Sequence, residues 1–204
     1  MPLILYFIVM MQKLAYPLIL ASGSPRRRQL LAAAGYTFEV VEPPFEEPVP
    51  PTTQASAAAG WAEALAYYKA AAVAQCYADA IVIGADTVVV YGEELIGKPK
   101  DEADARRILS TKFAGRNEVI TGLAVLPPQT ERRIITHVRT TLMMRPMTSE
   151  ELEDYLASGA WRGKAGAYAL QEGGDKFVLS TQGSESNVVG LPMEKLKELL
   201  SRIE

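Results

Sequence analysis

The sequence predicts an α/β protein built around a mixed β-sheet, and three observations lead to this fold class. From residue 17 onward, short apolar, strand-like runs alternate with segments of helical spacing. Residues 80–90, AIVIGADTVVV, form a β-branched run dense enough for a strand that is buried on both faces. No internal repeat, low-complexity tract or long polar linker interrupts the alternation. The 204 residues are therefore expected to form a single domain, 1–204.

Each element is predicted from local signals. Residues 18–21 are a short apolar run, and residues 26–34 have helical spacing that ends at Gly35, which favours a left-handed cap. Thr148 followed by Glu151 predicts a capping box and hence the start of a helix. The other predicted elements are a strand at 38–41, a Pro-rich irregular segment at 43–51, an Ala-rich helix at 53–77, a helix at 101–109, strands at 119–126, 134–143 and 177–180, and a closing amphipathic helix at 192–203.

Composition excludes several classes of function. The net charge of −3 gives the protein no electrostatic reason to coat nucleic acid or an anionic membrane, so no partner of either kind is expected. The single cysteine, Cys76, cannot form an internal disulfide, which fits a reducing, cytoplasmic location. His137 is the only histidine, so histidine-based triads and two-histidine metal sites have little support. The sequence also has no P-loop motif.

The N-terminal segment is nearly all apolar. Residues 1–11, MPLILYFIVMM, are too few to span a bilayer, which takes about 20 residues, and they lack the features of a secretory signal. A later start at Met10 or Met11, a packed extra strand and a weak targeting segment all remain open. Residues 1–14 are therefore an apolar extension of uncertain role.

The strongest local signal for a binding site is a small-residue loop between the first strand and the first helix. Ser24 suits the N-cap, Pro25 suits the first helical position, and Gly23 lets the backbone approach a ligand. The helix N-terminus offers free N–H groups, and Arg26 and Arg27 add forked cationic donors shaped for phosphate oxygens. A surface helix start with solvated arginines is the weaker alternative.

A second signal is an acid within the most hydrophobic strand. Burying the carboxylate of Asp86 is costly unless it is paired, hydrogen-bonded or bound to a metal. Backbone N–H groups at the end of the strand could donate hydrogen bonds to this carboxylate. The side chain of Thr87 would then only contact neighbouring residues of the strand. Alternatively, acidic residues of the loop containing Glu46 and Glu47 could join it in binding Mg²⁺ or Mn²⁺, which take oxygen ligands.

Two lysines are notable for their setting. Lys69 lies in the Ala-rich helix, and Lys98 lies in a Gly-Lys-Pro turn after the central strand. Taken alone, each is most simply an ordinary solvated lysine.

In this order, the segments resemble the Maf family of nucleotide pyrophosphatases, also called septum formation inhibitors. The resemblance runs from about Leu18 to the closing helix. It rests on LASGSPRR at 20–27, the pair Glu46 and Glu47, Lys69 with Ala70, GADT at 84–87, GKP at 97–99, GR at 115–116, VITG at 119–122, KAGAYALQ at 164–171 and VVGLP at 188–192.

The resemblance implies a fold like that of the inosine triphosphatase group, an elongated, twisted mixed sheet flanked by helices, with two lobes enclosing a nucleotide cleft. It also implies hydrolysis between the α and β phosphates with a divalent metal ion, Mg²⁺ or Mn²⁺, and a homodimer. The KAGAYALQ segment is similar to the branch that acts on dTTP and UTP. The implied roles are catalysis by Asp86, phosphate binding by Ser24, Arg26, Arg27, Lys69 and Lys98, metal binding by Glu47 and Asp86, and substrate choice by Arg26, Thr87 and Gln171.

Two alternatives remain beside this hypothesis. Within the enzyme class, the substrate would be 7-methyl-GTP or another purine or modified nucleotide. Outside it, the protein would be a non-catalytic, nucleotide-sensing regulator of cell division.

Overall fold

The structure is a computed structural model that describes residues 14–44, 47–48, 50, 52–170 and 173–203. Across these residues, seven strands form one mixed sheet in the order β2-β1-β3-β5-β6-β7, with β4 paired to β3. β1 runs parallel to β2 and β3, whereas β3, β5, β6 and β7 pair antiparallel. The strands are β1 (Leu18–Ala21), β2 (Glu39–Val41), β3 (Ile81–Tyr91), β4 (Glu94–Ile96), β5 (Gly115–Leu126), β6 (Ile134–Met144) and β7 (Val178–Gln182).

Helices cover both faces of the sheet, and the predicted α/β class with a mixed sheet is therefore confirmed. Gly35 has φ +82°, as the predicted cap requires, and the capping box between Thr148 and Glu151 is present. The helices are α1 (Pro25–Ala33), α2 (Ala58–Ala74), α3 (Glu102–Thr111), α4 (Ser149–Ser158), α5 (Glu185–Val189) and α6 (Met193–Leu200).

The observed elements differ from the predicted ones in several bounds and in two short elements. The strand predicted at 119–126, for example, begins at Gly115. The helix predicted from residue 53 begins at Ala58, after a single 3₁₀ turn at Ala55–Ala57. The strand β4 and the helix α5 were not predicted, because three and five residues are too few to show a hydrophobic period.

The two faces of the sheet are packed differently. The helix α2 covers one face, where Ala66, Ala70 and Val73 pack on β1 and β3. The opposite face carries two separate cores. One contains Leu31 of α1 and the apolar side of α6, and the other contains α3, α4 and Trp161.

The central strand β3 is left open along part of one edge. Its pairing with β1 ends at Gly84, opposite Ala21, and its pairing with β4 begins only at Val89, opposite Ile96. Residues 85–88 therefore lie between two neighbours, at the carboxyl end of β1. The sheet changes from parallel to antiparallel pairing at this same strand.

Close contact between α2 and the sheet depends on Gly84. A Cβ atom at this position would lie 2.1 Å from the carbonyl oxygen of Ala66 on α2. Because only glycine permits this approach, α2 can bring its side chains down to the level of β3. This contact positions Lys69, one turn further along α2, beside Asp86.

None of the helices in the described ranges is both long enough and apolar enough to cross a lipid bilayer. Residues 1–13 of the apolar N-terminal segment, Glu46 of the acidic loop and Gln171 lie outside the described residues.

Candidate active site

A cavity of about 360 Å³ opens beside the unpaired edge of β3. The loop after β1 and the start of α1 form one wall, and the segments 163–165 and 168–170 form another. Because the edge of β3 is open here, both the α2 face and the α1 face of the strand contribute side chains. The predicted site residues that line the cavity are Ser24, Arg26, Arg27, Glu47, Lys69, Asp86, Thr87 and Lys98.

The loop before α1 is shaped by Ser22 rather than by Ser24. Ser24 occupies the predicted N-cap position, but its side chain makes no capping hydrogen bond. Instead, the backbone N–H of Ser24 donates to Oγ of the buried Ser22 over 3.2 Å. Pro25 begins the helix as predicted. The hydroxyl of Ser24 is thus not used by the helix cap, and Ser24 lines the cavity.

Arg27 is fixed by three elements of the fold. Its Nε donates to the carbonyl oxygen of Gly190 over 2.7 Å, and its terminal nitrogens donate to Oγ of Ser22 and Oγ1 of Thr87, each over 3.2 Å. Burial lowers the pKa of the Arg27 guanidinium, and the charge of Asp86 opposes this shift. The guanidinium is therefore a desolvated cation in a set orientation at the cavity wall.

The acidic and basic side chains on the α2 side form a continuous chain. Nζ of Lys69 donates to Oδ1 of Asp86 over 2.5 Å and also to Oε1 of Glu47. Lys98 donates to the other oxygen of Glu47. Lys69 and Asp86 are both buried, with residue exposures of 7% and 6%. Each side chain therefore neutralises the charge of the other, which would be costly to bury without a partner.

The protonation of Glu47 is governed by these lysines. Desolvation works to raise the pKa of its carboxyl group, but hydrogen bonds from Lys69 and Lys98, together with their charges, outweigh it and lower the pKa to about 2. Glu47 is therefore ionised throughout the neutral range, and the carboxylate is available as an oxygen ligand for a cation.

The lining of the cavity also contains apolar side chains. Val89 and Val119 come from the sheet, and Val188 and Val189 come from α5. Tyr168 also lines the cavity, and burial raises the pKa of its hydroxyl, which has no hydrogen-bond partner among the described residues. The lining thus combines charged and apolar side chains.

The structure corrects one interpretation and extends others. Lys69 is not a solvated lysine, because it is buried and bound to two carboxylates. Lys98 is about half exposed but is paired with Glu47. Sequence reasoning missed the Gly190 carbonyl and α5 as parts of the site. Lys69 could have been found, because it shares the i, i+3, i+4 stripe of α2 with the buried residues Ala62, Ala66, Ala70 and Val73.

The fold and the site define an α/β protein with a cavity, lined by basic and acidic side chains, at the open edge of the central strand of a mixed sheet. The Maf-like protein family matches residues 17–203, which is most of the chain. The chain belongs to this family.

Several relatives share most of their length with this chain. The dTTP/UTP pyrophosphatase of Geobacter sulfurreducens is 43% identical over 187 residues, which cover 91% of this chain and 96% of the relative. The dTTP/UTP pyrophosphatase of Dictyoglomus turgidum is 42% identical over 185 residues, covering 91% and 95%. Among solved structures, the Ham1 protein of Staphylococcus aureus overlaps 63% of this chain and 71% of its own, with a TM-score of 0.40 and 15% identity.

Proposed function

We propose that the protein hydrolyses dTTP and UTP between the α and β phosphates, releasing nucleoside monophosphate and pyrophosphate. The observation that carries the proposal is one cavity whose lining combines five basic side chains with four valines and the ring of Tyr168. The names of the relatives, dTTP/UTP pyrophosphatase, support the same reaction and substrates.

The charge of the cavity favours a polyanion. Among the described residues, five basic and three acidic side chains line it, so the net charge of the lining is 5 − 3 = +2. A triphosphate chain matches this excess better than a neutral ligand does. The basic residues are Arg26, Arg27, Lys69, Lys98 and Lys164, and the acidic ones are Glu42, Glu47 and Asp86.

The site also fits a divalent cation such as Mg²⁺ or Mn²⁺. Asp86 and Glu47 both bind one ammonium group, that of Lys69, so their oxygens already converge on a positive charge. The described residues contain no cluster of three or more His, Cys, Asp or Glu side chains that could hold a metal ion. This suits an ion that takes one or two carboxylates and completes its shell with phosphate oxygens and water. When bound, such an ion would neutralise charge on the phosphates.

The chain's own residues would divide the remaining work. Arg26, Arg27, Lys98 and Ser24 would hold the phosphates, and Asp86 would orient a water molecule and accept its proton. Lys69 fixes the position of the Asp86 carboxylate before the nucleotide arrives. Thr87 lines the cavity, and we propose that it bears on substrate choice together with Arg26 and Gln171.

The apolar part of the lining suits a nucleobase. Valine side chains from β3, β5 and α5 line it, and Tyr168 adds an aromatic ring. A single pyrimidine ring offers flat apolar faces to such a slot.

A substrate panel tests this function. The purified protein is incubated with dTTP, UTP, CTP, GTP and 7-methyl-GTP and with Mg²⁺ or Mn²⁺, and the products are separated. Monophosphate and pyrophosphate, fastest from dTTP or UTP, are expected. Diphosphate with phosphate would contradict the proposed reaction. Binding without turnover of any nucleotide would favour the regulatory alternative.

We further propose that the chain is a single domain, that it forms a homodimer and that it works in the cytoplasm. The family resemblance supports all three. Light scattering coupled to size-exclusion chromatography tests the homodimer, which is expected to have twice the chain mass of 22.2 kDa.

A further inference from the structure

The guanidinium of Arg27 is the start of a chain of hydrogen bonds that leads away from the cavity. Nη2 of Arg27 donates to Oγ1 of Thr87 over 3.2 Å. Oγ1 of Thr87 lies 2.9 Å from Oγ1 of Thr121 on β5, and Oγ1 of Thr121 donates to the carbonyl oxygen of Asn187 over 2.9 Å. Four residues from four elements are thereby joined in one line.

The direction of every bond in this line follows from counting protons. A carbonyl oxygen only accepts, so the one hydroxyl proton of Thr121 is committed to Asn187. Thr121 must then accept in its contact with Thr87, which makes Thr87 the donor. The lone pairs of Thr87 are left to accept from Arg27, as observed. Each hydroxyl both accepts and donates, which strengthens the neighbouring bonds.

The far end of the line is anchored in the interior. Thr121 and Asn187 are fully buried, each with 0% exposure. Nδ2 of Asn187 donates to the carbonyl oxygen of Val119 and to Oγ1 of Thr140, each over 3.0 Å. These contacts fix α5 to β5 and β6. The same short helix leads into Gly190, whose carbonyl oxygen accepts from Nε of Arg27.

We propose that Thr121 is a positioning residue that sets the orientation of Arg27 for the substrate phosphates, although it does not itself line the cavity. Three of the five N–H groups of Arg27 bind acceptors in the described part of the chain. The other two are available to an anion, and their direction is determined once the first three are fixed. Thr121 supports this direction because it accepts the hydroxyl proton of Thr87, which turns the lone pairs of Thr87 toward Arg27.

The kinetic test rests on the proposed pyrophosphatase function. Thr121→Val keeps the shape of the side chain and removes the hydroxyl, and it is expected to lower kcat/KM by about tenfold, the effect of one misplaced hydrogen bond. Thr121→Ser retains the hydroxyl and is expected to restore the wild-type value. In an Arg27→Lys background, Thr121→Val should cause little further loss, because its effect passes through Arg27. The same tenfold loss in both backgrounds would overturn the proposal.

A second readout does not depend on activity. In the nucleotide-free protein, the Arg27 Nε–H should give a protected signal in ¹H–¹⁵N spectra, which is assigned by its loss in Arg27→Lys. Thr121→Val is expected to speed its exchange with water. Thr111→Val removes a hydroxyl that donates to the carbonyl oxygen of Arg107 on α3 and takes no part in this line of hydrogen bonds, so this control should leave the Arg27 signal unchanged. An unchanged signal in Thr121→Val, or loss of the signal in both variants, would overturn the proposal.

If Thr121→Val does not fold, Thr121→Cys replaces it in both measurements. Its thiol is only a weak donor, so the expected direction of each effect is the same. A protein that shows no pyrophosphatase activity but shows the expected change in the Arg27 signal would contradict the proposed function and support the positioning role.

Discussion

Lys69 of α2 and Asp86 of β3 form a buried ion pair, 2.5 Å between Nζ and Oδ1, in which the lysine also binds Glu47. The exposed fractions of their side chains are 9% and 8%. A buried charge that loses its partner is strongly destabilising, whereas the intact pair contributes little net stability. The value of the pair is therefore positional, because it fixes a carboxylate at the edge of the cavity.

Asp86→Asn is expected to abolish pyrophosphatase turnover and to leave the fold intact. The amide cannot accept a proton from water, and Lys69 keeps Glu47 as a partner. Product formation from dTTP measures the first effect, and circular dichroism measures the second. Glu118→Gln is a matched control, because Glu118 is a surface carboxylate that pairs with Arg116 and Arg139. A rate near that of wild type in Asp86→Asn would remove Asp86 from its proposed role.

Lys69→Met is expected to lower the free energy of unfolding by about 3 kcal/mol, because Asp86 is left buried without its cation. Urea unfolding measures the change. Adding Asp86→Asn to this variant should recover part of the loss, since the stranded charge is removed. The control Lys112→Met breaks the more exposed pair with Glu94 and should cost less than about 1 kcal/mol. Equal losses in the two single variants would contradict the buried pair.

The acid sensitivity of the site should reflect the lowered pKa of Glu47, about 2 against an ordinary 4.5. Because the folded-state pKa lies below the unfolded value, the unfolded chain takes up this proton first as the pH falls. The contribution of Glu47 to stability is therefore complete above pH 4.5 and is lost between pH 4.5 and about 2.

This pH dependence is measured by comparing the wild type with Glu47→Gln. The difference in their free energies of unfolding should be constant near neutral pH and should shrink below pH 4.5. In ¹³C spectra, the Glu47 carboxyl should titrate at a higher pH in Lys98→Met, since one of its two ammonium donors is gone. A stability difference that does not change with pH would show that the lysines do not hold the carboxylate as described.

Gly190→Ala is expected to disturb Arg27 directly. Gly190 has φ +118°, and an added Cβ would lie 3.4 Å from Nε of Arg27 and 3.3 Å from Oγ1 of Thr87. Backbone strain of this kind costs about 1–3 kcal/mol. The catalytic efficiency should fall as well as the stability. Gly92→Ala separates the two effects, because Gly92 has φ +59° but open space around the added Cβ. It should lose stability and keep its activity.

Features that depend on neighbouring residues were predictable from the sequence. The cap at Gly35 and the capping box at Thr148 are set within one helical turn, and both were predicted correctly. The long strand β3 was also predicted, because its β-branched run carries its own signal.

Features that depend on distant residues were not predictable in this way. Arg27 and Gly190 are 163 residues apart in the chain, and no local pattern indicates that one donates to the other. The buried, paired state of Lys69 depends on a partner 17 residues away in the chain and on the position of Lys69 among the buried residues of α2. The resemblance to a family predicted roles for Arg27 and Lys69. Only the fold shows the contacts that position their side chains.

Asp86 and Thr87 are consecutive residues of β3, and their side chains leave the strand on opposite faces, one toward Lys69 and the other toward Arg27. The pairing of Val82–Tyr91 with β5 fixes which residue faces which way. A shift of one residue would turn the acid toward the arginine and the hydroxyl toward the lysine. An insertion or a deletion before Asp86 within β3 would therefore separate the acid from Lys69 and the hydroxyl from Arg27 in a single step.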